Sequence, residues 1–170
     1  MRQWVLEDNM DTIVFEDDLS NGQVMRFYFE DLTPYVEPDM ALASYIYNVG
    51  VLVSDAEEAD MNDSLLDYGN DEPIITGRDP FVSAIHGIRM YKQCVEALRE
   101  MRPGFRTGFA CGWLDDDRHR AYKSFLGKRG YVEQIVDGDP CLFKMYDALD
   151  KIKYNVIKYK EKKLMEKEDD

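Results

Sequence analysis

The chain has 170 residues with 34 acidic and 21 basic side chains, a net charge of -13, and is 45% hydrophobic and 12% aromatic. That balance fits one folded domain with extensions and excludes wholesale disorder, and no run of 18 apolar residues suggests a membrane span. The acid is concentrated: residues 1–75 hold 18 Asp and Glu against Arg2 and Arg26 (net -16), and the remainder holds 16 acids and 19 bases (net +3).

An acidic half repels phosphate, so direct nucleic-acid binding is not expected, whereas a basic protein partner or a solubilising face is. The amino-terminal stretch MRQWVLEDNMD has no apolar signal region, which points to an unexported, cytoplasmic protein. Cys94, Cys111 and Cys141 are odd in number, far apart and set among apolar neighbours, the pattern of reduced core thiols.

Residues 1–23 read as an added arm, with Thr12–Glu16 expected to pair with Val24–Phe29 across the Ser20-Asn21-Gly22 turn. Asp31 or Thr33 is expected to cap a helical turn at Pro34. Asp39–Val49 is apolar enough for helix or strand, Val49–Ser54 is strand-like, and Ala56–Asn70 has the spacing of a short acidic helix. Ile74–Thr76 is the strand expected beside Arg106–Trp113. A long amphipathic helix is predicted from Pro80 to Met101, its apolar stripe running from Phe81 through Ala84, Ile85, Ile88, Tyr91 and Val95 to Leu98.

From Phe105 to Trp113 bulky residues alternate with Arg106, Gly108, Ala110 and Gly112, a strand with one nearly bare face that something must approach closely. Asp115, Asp116 and Asp117 offer caps to a helix carrying Ala121, Phe125 and Leu126 and ending at Gly130. Tyr131–Val136 and Cys141–Tyr146 flank Asp137-Gly138-Asp139-Pro140 as a hairpin. A last helix is expected over Lys144–Lys167, with Met145, Leu149, Ile152, Val156 and Tyr159 forming a short seam for its own domain or for a second copy.

The strand–helix–hairpin order with its FLGKRGY run resembles the carboxy-terminal half of the GNAT acyltransferase superfamily. The resemblance implies an α+β fold, a mixed and mostly antiparallel twisted sheet flanked by helices, spanning residues 24–146, with residues 147–170 appended as a helix. In that family a strand leads into a helix of the form N-x-x-A-x-x-(apolar)-Tyr-x-x-x-Gly-Phe. Gly130-Tyr131 falls on Gly-Phe, His119 on the Asn, and Leu126 on the catalytic Tyr that would protonate the coenzyme A thiolate. The family's coenzyme turn, R/Q-x-x-G-x-G/A, falls on Arg78-Asp79-Pro80-Phe81-Val82-Ser83, where both glycines are replaced and Pro80 has no N–H to donate. Over Ile74–Tyr146 the pattern is also similar to small internal virion proteins of short-tailed bacteriophages, which look like GNAT domains without the glycine loop and the tyrosine.

The resemblance implies a catalytically inactive scaffold acting by protein–protein contact in virion assembly or host takeover, in the host cytoplasm or the virion. The acidic half and the last helix are its candidate surfaces for a protein partner or a homo-oligomer. It implies no cofactor. The competing readings are an acyltransferase and an acidic DNA mimic. The acyltransferase would hold acetyl-CoA through Arg78, Phe81, Val82 and Ser83 and use Tyr122 as proton donor with His119 as acid or base. The mimic would occupy a nucleic-acid-binding protein. No zinc-ligand spacing is present, and helix capping accounts for the three aspartates without a divalent ion.

Overall fold

The computed structural model describes residues 1–6, 11–55, 80–113 and 115–168. The fold is α+β, seven strands in one sheet with helices against it. Strands β1 (Arg2–Val5), β2 (Thr12–Asp18), β3 (Val24–Asp31) and β4 (Ser44–Ser54) run antiparallel in sequence order. β5 (Arg106–Cys111) lies parallel to β4, and β6 (Val132–Val136) and β7 (Asp139–Tyr146) complete the order β1-β2-β3-β4-β5-β7-β6. The helices are α1 (Pro38–Ala41), α2 (Pro80–Met101), α3 (Asp116–Gly127) and α4 (Lys151–Glu168).

The hairpin expected from the first turn signal forms, with Val14 opposite Tyr28 and Glu16 opposite Arg26. β3 then bends into a 3-10 turn at Thr33–Tyr35, where the Asp31 carboxylate accepts from the Thr33 N–H at 2.8 Å. The ambiguous stretch Asp39–Val49 divides: Asp39–Ala41 belong to α1, and Ser44–Val49 are strand, continuous with the apolar run after them, and it is this β4 that pairs with β5. Both edges of β5 are taken, by β4 and β7, so the strand beside it is not Ile74–Thr76 as expected; that stretch and the helix expected at Ala56–Asn70 lie outside the described residues.

β2, β3, β4 and β5 bury Phe15, Phe27, Phe29, Tyr47 and Phe109 on one face, under Met90, Tyr91, Cys94, Val95 and Leu98 of α2 and Leu126 of α3. Each large side chain fully buried there stabilises the fold by about 1.5–3 kcal/mol. Among the described stripe residues burial is complete only from Met90 onward: Ala84 and Ile85 are exposed and Ile88 is half-buried. On the opposite face Leu32, Ile46, Ala110, Val136, Cys141 and Phe143 form a second cluster. The bare face of β5 is explained here: a Cβ on Gly108 would lie 2.7 Å from the Phe143 ring. All three cysteines are buried and free, as their apolar neighbours imply.

The last helix is shorter than its periodicity suggests. Met145 and Tyr146 pair with Gly108 and Thr107 as the end of β7, so the helix starts only at Lys151. The strand ladder uses backbone groups that β5 would otherwise leave unpaired, and that outweighs the helical spacing.

Candidate functional site

β4 and β5 pair from Ser44↔Arg106 to Val49↔Cys111, after which β4 runs on to Ser54 while the chain leaves β5 for α3. A parallel pair that parts leaves a place on the sheet for a ligand or for side chains. Tyr91, on α2, lies across this level, its ring 5.6 Å from Phe27 of β3 and 6.4 Å from Phe109 of β5. Its hydroxyl meets Tyr131 Oη at 2.5 Å and Cys111 Sγ at 3.6 Å. Tyr131 Oη in turn meets Tyr146 Oη at 3.1 Å, so three phenols and a thiol form one polar chain inside an apolar shell.

Four elements position this chain. The α2 stripe delivers Tyr91, and β5 alternation delivers Cys111. Gly130, at φ 88°, turns the end of α3 so that Tyr131 N–H returns to the Leu126 carbonyl and its ring points inward. β7 delivers Tyr146, over whose ring stand Arg99 at 5.0 Å and Lys144 at 4.5 Å.

Burial sets the protonation of the chain. Desolvation pushes the Cys111 thiol up to about 12 and raises the Tyr91 and Tyr131 phenols well above their ordinary range. All three are therefore neutral near pH 7: the thiol is no nucleophile and neither phenol is a base. Their hydroxyls fill one another's hydrogen-bonding capacity, the arrangement of a packed polar core.

The sequence-derived candidates lie elsewhere. Asp115 caps α3, accepting from the Arg118 N–H at 2.8 Å. His119, one turn in, stacks on Trp113 with centroids 3.8 Å apart and bonds Glu133 Oε1 at 2.8 Å. Bonding to His119, then to Lys123, holds the Glu133 carboxyl below its usual range. Tyr122 is half-buried against the main core, its phenol raised by desolvation. Leu126, on which the family's tyrosine falls, is buried in that core. Val82 and Ser83 are helical residues of α2, half-buried, and the Ser83 hydroxyl is shut from solvent without a hydrogen-bond partner among the described residues. Arg78 and the Phe81 side chain lie outside the described residues. His86 bonds Asp17 Oδ2 at 2.8 Å, tying α2 to β2.

α2 opens on Pro80, which donates no N–H at the end where an anion would be held. The phenol chain was missed from the sequence, although a tyrosine on an apolar helical stripe is its one visible sign, since a buried hydroxyl requires a partner.

No protein-family model matches this chain. No curated protein matches it, and no solved structure does. Among the described residues no helix is long and apolar enough to cross a membrane.

Proposed function

We propose that this chain is a GNAT-like scaffold that has lost catalysis and acts through protein–protein contact, as a bacteriophage protein of particle assembly or host takeover. The observation that carries the reading is Tyr91 at the end of β5: its hydroxyl meets Cys111 Sγ at 3.6 Å and Tyr131 Oη at 2.5 Å, beside the point where β4 outruns β5, the place in such a scaffold for the thioester arm of acetyl-CoA. The order β5, α3, then the β6–β7 hairpin supports the scaffold assignment, as does the turn at Gly130-Tyr131. Burial of Leu126 supports the loss of the proton donor, and Pro80 at the start of α2 supports the loss of coenzyme binding.

The test is release of free thiol from acetyl-CoA in the presence of polyamine and peptide amines. The reading expects no release above the uncatalysed rate, for the chain and for Y122F alike. Release that Y122F abolishes would overturn it and make Tyr122 the acid of an active acyltransferase.

A further inference from the structure

The sheet is open, and its order β1-β2-β3-β4-β5-β7-β6 leaves two edges, β1 and β6. On β6, Val132 is 58% exposed and Ile135 70%, on opposite faces of the strand. The register shows which backbone groups are left over. Val136 and Asp139 close the two-residue turn as a hydrogen-bonded pair, and bonding to β7 alternates back from there. Gln134 bonds with Cys141 and Val132 with Phe143, while Glu133 and Ile135 turn their N–H and C=O groups away from β7. Pro140 stands opposite Ile135, where its missing N–H costs the hairpin nothing. Among the described residues β6 pairs with β7 alone, so the groups of Glu133 and Ile135 form an open ladder edge.

That edge is complementary to itself. Two copies of β6 related by a two-fold axis meet antiparallel, each offering the same groups. Centred on Gln134, the N–H and C=O of Glu133 face those of Ile135 in the second copy, and the reverse, so the groups left over in one edge are the partners of the other. Val132 then lies beside Val136 of the second copy, and the two Gln134 amides meet on the axis, where each can donate and accept. The two nearest registers with the same bonding are worse. Centring on Glu133 sets two carboxylates face to face, and centring on Ile135 sets Glu133 against Asp137. In the Gln134 register the Glu133 carboxylate stays turned toward its own α3, 2.8 Å from His119 Nε2 and 3.3 Å from Lys123 Nζ. The β1 edge is guarded by Arg2, whose guanidinium is bound to Glu16 and Asp18, and edge charge of that kind discourages strand addition.

We propose that β6 is a homodimer edge, pairing antiparallel with β6 of a second copy about a two-fold axis at Gln134 and joining the two sheets into one. A second copy is the occupant because the chain itself supplies every group that the edge leaves unpaired, in a register that sets no like charges opposite. An isologous contact closes on itself, so assembly stops at the dimer. The strand is short, and an interface of this size associates weakly, at about 100 µM. Thiol release decides the scaffold reading above, and β6 pairs or fails to pair whatever that outcome.

The experiment is sedimentation velocity of the full chain from about 10 to about 500 µM, with amide hydrogen exchange read residue by residue at both ends of that range. The wild type is expected to pass from monomer to dimer and no further, and the Glu133 and Ile135 amides to exchange fast when dilute and to gain protection as the dimer forms. I135E sets a carboxylate opposite Glu133 of the second copy and is expected to raise the concentration of half-assembly at least about tenfold. I135K removes the same apolar side chain but sets a cation there, and is expected to dimerise at least about tenfold better than I135E. V5E on the β1 edge and Y159E on α4 are expected to behave like wild type, and all four positions of change are exposed, so unchanged circular dichroism shows that the fold is kept. A monomeric wild type, larger species, I135E dimerising like wild type or no worse than I135K, or Glu133 and Ile135 amides that gain no protection would each overturn the proposal. Loss of the dimer in V5E or Y159E but not in I135E would also overturn it, by placing the contact on β1 or α4.

Discussion

The Tyr131 hydroxyl stands between those of Tyr91 and Tyr146, and its removal strands a buried donor on one side. Tyr131→Phe is therefore expected to destabilise the fold by about 1–3 kcal/mol, read as a lower denaturant midpoint at unchanged slope. Tyr146→Phe, at the half-buried end of the chain, is expected to cost less. The same burial governs the thiols: Cys94, Cys111 and Cys141 are expected to resist a thiol reagent at pH 8 in the native state and to react fully once unfolded. Tyr91 was legible as a stripe position because helical spacing is local. Its partner was not, since Tyr131 lies 40 residues away and nothing in either neighbourhood encodes the meeting.

The sheet owes its close packing to positions without side chains. Gly108→Val adds strand propensity, yet its Cβ would meet the Phe143 ring at 2.7 Å. A loss of about 1–3 kcal/mol in thermal or denaturant unfolding is expected, and an increase in stability would show that the ring gives way freely. The β6–β7 hairpin turns on Asp137 and Gly138, both at positive φ, so the turn is two residues long and Asp139 already belongs to the strand. The two strands of this hairpin, the first hairpin and the long helix were readable because alternation, turn chemistry and capping all act within a few residues. The start of α4 was not. Met145, Leu149 and Ile152 have helical spacing, while Leu142, Lys144 and Tyr146 alternate equally well, and only pairing with β5 decides between them.

For the molecule as a whole, burial of ionisable groups in their neutral form sets an alkaline limit. The Cys94 and Cys111 thiols are pushed up to about 12 and that of Cys141 to about 11, from an ordinary value of 9.0, and the Tyr91 and Tyr131 phenols are raised as well. Folded pKa values above unfolded ones mean that the folded chain holds protons the unfolded chain releases. Stability is then fully present below pH 9 and falls as pH rises from 9 toward 12. Unfolding midpoints measured from pH 7 to 11 are expected to be flat up to about pH 9 and to drop beyond it. The candidate site itself was only half legible. That Pro80 has no N–H and that position 126 is leucine can be read from residue identity, but the chain of Tyr91, Cys111, Tyr131 and Tyr146 is assembled from four separate elements. The most direct test of the proposed loss of coenzyme binding is calorimetric titration of acetyl-CoA into the full chain. The account predicts no saturable binding tighter than about 100 µM, a free energy of about 5.5 kcal/mol, and saturable binding below that concentration would contradict it.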